Sequence, residues 1–212
     1  MKIPFEQLEF FAFCDPAGSK KAQEIKRTRA NAAIVCVGAD ALMRVFVVEW
    51  WEKRASTEEM TEKIFDVNRV WKPKMFGCEA NAMQELYGNM VQLEAKHRNV
   101  RLPLTPVYQT SKVEKTYRIR TGLQPVIRAG RLFMHERMIG ERTKLAGFPM
   151  NVKQIDGIDA LENAIRLIPK RATPKQRNEE VENVAAYLRA QGVSPQAIEM
   201  RVRELIEASL KS

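Results

Sequence analysis

Phe10-Phe11-Ala12-Phe13-Cys14-Asp15-Pro16-Ala17-Gly18 is an apolar, aromatic run that ends on a carboxylate and then breaks at proline and glycine. A run of this length bounded by turn residues reads as a buried strand. An ionised Asp at the end of a buried strand is costly to desolvate unless a metal or a cationic partner compensates it. The pattern recurs at Lys74-Met75-Phe76-Gly77-Cys78-Glu79, again an apolar run ending on an acid. A third acidic cluster, Ile155-Asp156-Gly157-Ile158-Asp159-Ala160-Leu161, opens an apolar segment of helical character. Brought together, the three would form an oxygen-rich site suited to hard divalent cations.

The elements around these acids imply a mixed sheet. Ala32–Gly38 and Leu42–Trp51 read as two further strands, joined across Gly38-Ala39-Asp40 by so few residues that they must be antiparallel neighbours. With the first strand they make a three-stranded meander. Ser56-Thr57-Glu58-Glu59 starts a helix with a capping box, and Met60, Ile64, Val67 and Trp71 follow at helical spacing up to Pro73. The strand at 75–79 comes directly after this crossover, which implies parallel pairing. A helix over 82–96 is expected next. Leu102–Val107 then reads as a strand whose two prolines suit a sheet edge, and residues 131–134 as one more short strand. Helical pieces are expected before Phe148-Pro149 and over 159–168.

Composition shifts at Pro169. Thr173-Pro174 and Ser194-Pro195 are helix starts and Gly192 a helix end, so 174–190 and 195–210 read as a helical hairpin with Val181, Val184, Leu188, Ile198, Val202 and Ile206 inward. The expected division is an α/β domain over 1–169 and a helical appendage over 170–212.

The chain has 212 residues, 45% hydrophobic and 29% charged, which is a folded chain and not a disordered tail. No window nears eighteen unbroken apolar residues, and Met1-Lys2-Ile3-Pro4-Phe5 lacks the layout of a secretion signal, so a cytoplasmic protein without membrane contact is expected. Cys14, Cys36 and Cys78 match no zinc spacing and read as plain buried thiols. His97 and His135 have no metal-binding spacing around them, and Trp50-Trp51 reads as sheet packing. The net charge of +9 suits a polyanionic partner.

Carboxylates held on rigid strand ends are what two-metal phosphoryl chemistry requires. One ion activates the attacking water, the other stabilises the leaving 3′ oxygen, and the pair sits about 3.5–4 Å apart. Asp15 and Glu79 would lie side by side at one sheet end, with Asp156 or Asp159 supplied by a helix packed on the sheet. The competing reading of any one of these acids is a cap or turn residue. Basic residues dominate 112–131, and Lys112, Lys115, Arg118, Arg120 and Arg128 are the candidates for holding DNA phosphates without base preference, Lys112 and Lys115 nearest the cut strand.

The order of strand, Asp15-Pro16-Ala17, two β segments and Glu79-Ala80-Asn81 with Gln84 resembles the nuclease domain of phage terminase large subunits. Lys115-Thr116-Tyr117-Arg118-Ile119, then Phe148-Pro149 and the stretch ending Asp159-Ala160-Leu161, carry the resemblance on, so that it covers about residues 9–168. It implies an RNase H-like fold and a Mg2+- or Mn2+-dependent endonuclease with two ions that cuts concatemeric viral DNA for packaging. Carried over by position, Asp15 bridges the ions, Glu79 and Asp156 complete the catalytic set, and Asp159 is a further ligand or a helix-capping neighbour. The implied partners are double-stranded DNA, an ATPase motor domain, a small terminase subunit and a portal.

The chain departs from the family pattern at Ala30-Asn31, where many members place an acid, and at Ile155-Asp156, where many have paired acids. No GxxxxGK[ST] phosphate loop occurs, so the packaging ATPase is expected on a separate domain or a separately encoded subunit. The alternatives are another RNase H-like nuclease, such as a Holliday-junction resolvase, and a non-catalytic DNA-binding or assembly module.

Overall fold

The computed structural model describes residues 5–16, 31–40, 42–80, 82–109, 113–150, 152, 154–169, 182 and 184–211, of which 82–84 and 204–211 as backbone. By contacts the chain divides into two compact units, Met1–Ile168 and Pro169–Ser212.

The first unit is a six-stranded mixed sheet. Its strands are β1 (Glu9–Asp15), β2 (Ala32–Ala39), β3 (Val45–Lys53), β4 (Met75–Glu79), β5 (Leu104–Val107) and β6 (Leu132–Met134), in the order β5-β4-β1-β2-β3-β6. The meander β1-β2-β3 is antiparallel, while β4 joins β1, β5 joins β4 and β6 joins β3 in parallel. The expected mixed sheet is thus present. The proline-bearing strand β5 lies at an edge, where a missing backbone donor costs no ladder bond.

β1 and β2 are apolar on both faces because helices cover both. On one face α1 (Thr57–Trp71) and α2 (Ala82–His97) pack Met60, Ile64, Val67, Val91 and Ala95 against Cys14, Ile34, Cys36 and Phe76. On the other, α3 (Lys115–Arg128) and α5 (Asp156–Arg166) pack Ile119, Leu123, Ile158, Leu161 and Ala164 against Phe11, Phe13, Val35 and Val37. A short helix, α4 (Ile139–Gly147), precedes α5. All three cysteines are buried free thiols, as expected.

Two local features differ from expectation, and one of them bears on the site. Strand β3 begins at Val45 and not at Leu42. The Asp40 carboxylate accepts from the backbone N–H groups of Leu42 and Arg44 and from the Arg44 guanidinium, closing a turn there. A register shift at Cys36/Val37 then sets Cys36 against Glu49 and Val37 against Val47, so Val48 is the extra residue of a β-bulge. Past the bulge the alternation reverses: Trp50 packs on the α3/α5 face and Trp51 on the α1/α2 face.

The capping box of α1 is formed as expected. The Ser56 hydroxyl accepts from the Glu59 N–H, and the Glu59 carboxylate accepts from the Ser56 N–H. Ser56→Ala is expected to cost about 1 kcal/mol, seen in thermal melts as a fall of roughly 2–4 °C for a chain of this size.

In the second unit, residues 184–190 are helical and α6 spans Pro195–Lys211, with Gly192 left-handed between them. Ala185 and Ile198 are buried, and Val184, Leu188 and Val202 are half-buried. Thr173, Val181 and the side chain of Ile206 lie outside the described residues. No helix among the described residues is long and apolar enough to cross a membrane.

Candidate active site

The parallel register of β1 and β4 pairs Cys14 with Cys78, so the next residues, Asp15 and Glu79, end neighbouring strands on the same face. α5 packs across that face and brings Asp159 down to them. The three carboxylates each offer an oxygen within 4.8 Å of the others. Asp159 is 1% exposed and Asp15 8%. Burial, followed by the charge of Glu79, pushes the Asp15 carboxyl well above the usual carboxylate range, with Lys115 acting against the shift.

Asp156 stands beside this trio and not within it. Its Oδ2 accepts from the backbone N–H of Asn31 at 3.2 Å, and its Oδ1 lies 3.9 Å from Lys115 Nζ. Sequence reading places Asp156 ahead of Asp159 as the completing ligand; in the structure the carboxylate that meets both Asp15 and Glu79 is that of Asp159. Asp159 sits almost one helical turn further along α5, where the helix presses against the sheet, while Asp156 is at the rim. Burial, opposed by Lys115 and by the Asn31 N–H, raises the Asp156 carboxyl.

Two cations of the basic segment face the acids. Lys115 Nζ is 2.7 Å from Asp159 Oδ2 and 3.9 Å from Asp15 Oδ2. Burial alone would lower the Lys115 ammonium, but the Asp159 and Asp15 carboxylates outweigh it and hold it above its ordinary value. Arg118, one helical turn on, forks between Asp159 Oδ1 at 2.5 Å and Glu162 Oε2 at 2.6 Å. Its guanidinium therefore points at carboxylates, where the sequence leads us to expect a contact to DNA phosphate. Arg120 and Arg128 are exposed, and Lys112 lies outside the described residues.

Sequence reading missed Glu162, Asn163 and Glu52. Glu162 is 2% exposed, and burial raises its carboxyl while Arg118 opposes the shift. Asn163 donates through Nδ2 to the backbone oxygen and Oδ1 of Asp159. The signal was spacing: Glu162 and Asn163 follow Asp159 by three and four residues, as Arg118 follows Lys115 by three, so each set shares one helix face. Gly122 makes the fit between the helices possible, since a Cβ there would lie 2.4 Å from Glu162 Oε1 and 2.7 Å from its Cγ. Glu52 reaches the same face because of the bulge in β3. It accepts from Trp50 Nε1 and from Lys144, and Gly157 lets α5 approach it.

No protein-family model and no characterised protein sequence matches the chain. Among solved structures, it resembles the nuclease domain of the P22 large terminase, with a TM-score of 0.51 and 11% identity over 78% of this chain and 84% of that one. Two others are more distant. Thermus thermophilus RuvC in complex with a Holliday-junction substrate has a TM-score of 0.41 and 11% identity, over 74% of this chain and 90% of that one. The yeast mitochondrial Holliday-junction resolvase Ydc2 has a TM-score of 0.41 and 12% identity, over 74% and 76%. With its antiparallel meander, flanking parallel strands and helices on both faces, the chain has the RNase H-like nuclease fold.

Proposed function

We propose that this chain is a divalent-metal-dependent endonuclease acting on double-stranded DNA and, within that class, the nuclease part of a viral DNA-packaging terminase. The observation that carries the reading is the meeting of Asp15, Glu79 and Asp159 at one end of the sheet. The donor set fits a hard divalent cation: it is all oxygen and anionic, held on strand and helix ends and not on loops. When bound, Mg2+ or Mn2+ would lower the pKa of a water and neutralise charge on the phosphate.

The protein's own groups do the rest. Asp15 and Glu79 hold their carboxylates in a fixed pair because their strands are hydrogen-bonded neighbours. Arg118 and Asn163 fix the Asp159 carboxylate from behind. Lys115 supplies a positive charge at the mouth of the acid group, and the exposed Arg120 offers a phosphate contact further along α3. The motor ATPase, small terminase subunit and portal belong to this proposal as partners, and the host cytoplasm as its location.

The test is nicking of a supercoiled plasmid in Mn2+. Parent protein is expected to nick it, chelator to stop the reaction, and Asp15→Ala and Glu79→Ala to remove it. Equal cutting by mutants and parent would reject the site. One observation favours a second reading, a non-catalytic DNA-binding module: Lys115 and Arg118 already compensate part of the acidic charge. Under that reading calorimetry would show no heat on adding Mn2+ or Mg2+, with salt-dependent DNA binding intact.

A further inference from the structure

The two oxygens of Asp159 are not equivalent. Oδ1 is taken by the Arg118 guanidinium at 2.5 Å and by Asn163 Nδ2 at 3.1 Å. Oδ2 carries the Lys115 ammonium at 2.7 Å. With Oδ1 held by two donors, Oδ2 is the Asp159 oxygen that would be left for a cation held jointly with Asp15 and Glu79, and here the Lys115 ammonium lies on it.

We infer that Lys115 is the resident counter-ion of this site, giving up Asp159 Oδ2 to the divalent ion and passing its ammonium to the phosphate of the substrate. The inference rests on the metal-nuclease reading above and adds a residue that competes with the metal and then serves the substrate.

The contrast with Arg118 shows which cation can move. Arg118 is held at two points by a planar fork, and its side chain is 16% exposed. Lys115 has one close contact, two at 3.9 Å, a flexible four-carbon stem and a side chain 42% exposed. An ammonium and a divalent cation sharing one carboxylate oxygen repel each other, so Lys115 must swing outward when the ion arrives. Asp156 marks the direction: its Oδ2 is engaged by the Asn31 N–H, while Oδ1 faces Lys115. Asp156 thus becomes a positioning residue that would hold the released ammonium at the rim.

The test compares full-length parent, Lys115→Met and Lys115→Arg. Mn2+ affinity is read by calorimetry and plasmid nicking at saturating Mn2+. Lys115→Met is expected to bind Mn2+ about tenfold more tightly, since a partly exposed competing charge has gone. It is also expected to nick about a hundredfold more slowly, the scale of losing one group that stabilises transition-state charge. Lys115→Arg keeps the charge and is expected not to gain affinity. Mn2+ affinity that is unchanged or weaker in Lys115→Met, or an unchanged nicking rate, overturns the inference. A parent that binds no Mn2+ at all removes the metal-nuclease reading itself, a different and recognisable failure. A measurement on the parent alone needs no variant: acetylation of Lys115, followed by mass spectrometry, is expected to rise when Mg2+ is added. A fall or no change would count against release of the ammonium.

Discussion

Asp15→Asn is expected to abolish cleavage while making the metal-free protein more heat-stable. The activity loss follows from placement, because Asp15 is the carboxylate shared between Glu79 and Asp159. Removing its charge should cost at least about a thousandfold, well beyond the 10–100-fold typical of losing an outer partner of a metal ligand. The stability gain has the opposite origin. Burial and the neighbouring Glu79 raise the Asp15 carboxyl well above the ordinary range, so its native form holds the proton more tightly than the unfolded chain does. Folding stability of the parent therefore falls as pH rises from the unfolded carboxylate value, about pH 4, through the raised native one. An Asn at this position does not ionise. Its advantage in Tm should be absent at the acid end and open as the pH rises. Saturating Mn2+ should narrow the difference by stabilising only the parent. Melts of both proteins between acid and neutral pH, with and without Mn2+, check each part; a lower Tm for the variant at neutral pH without metal would refute the stability argument.

Arg118→Met is expected to be the most destabilising single change in the site. Asp159 and Glu162 have side chains only 2% exposed, and the guanidinium bridges both. Removing one partner of a buried ion pair and leaving charge behind costs about 3–5 kcal/mol. At 2–4 °C per kcal/mol that is a fall in Tm of roughly 6–20 °C. Lys cannot span both carboxylates with a single ammonium, so Arg118→Lys should recover little. Adding Glu162→Met to Arg118→Met should recover part of the loss, because an apolar pair no longer strands the Glu162 charge. A double variant no better than the single one would show that Glu162 is not the charge left stranded.

Much of this arrangement was legible from residue order. Apolar runs ending at Asp15 and Glu79 named the strands, and the long crossover containing Ser56 and Pro73 made them parallel; adjacency in the sheet and the Cys14–Cys78 register then bring their ends together. The choice between Asp156 and Asp159 was not legible. Both begin the same helix, and only the depth at which α5 meets the sheet decides which of them reaches the strand ends. The role of Arg118 was hidden for a related reason. A basic segment reads as an exposed surface unless the acids buried opposite it are known, and those acids lie more than forty residues away in sequence. Glu52 was concealed by the bulge: with regular alternation from Val45 and Val47 it would face away from the site, and one extra residue turns it inward.

The pairing of Cys14 with Cys78 also limits how the chain can vary. Side chains alternate along a strand, so adding or deleting one residue within β1 or β4 would send one of the two acids to the opposite layer, among the apolar side chains beneath α1 and α2. Length changes in either strand are tolerable only in twos, or where a bulge absorbs the odd residue. Drift in length must be accommodated by the connecting segments, while the spacing from Phe11 to Asp15 and from Met75 to Glu79 is held by geometry.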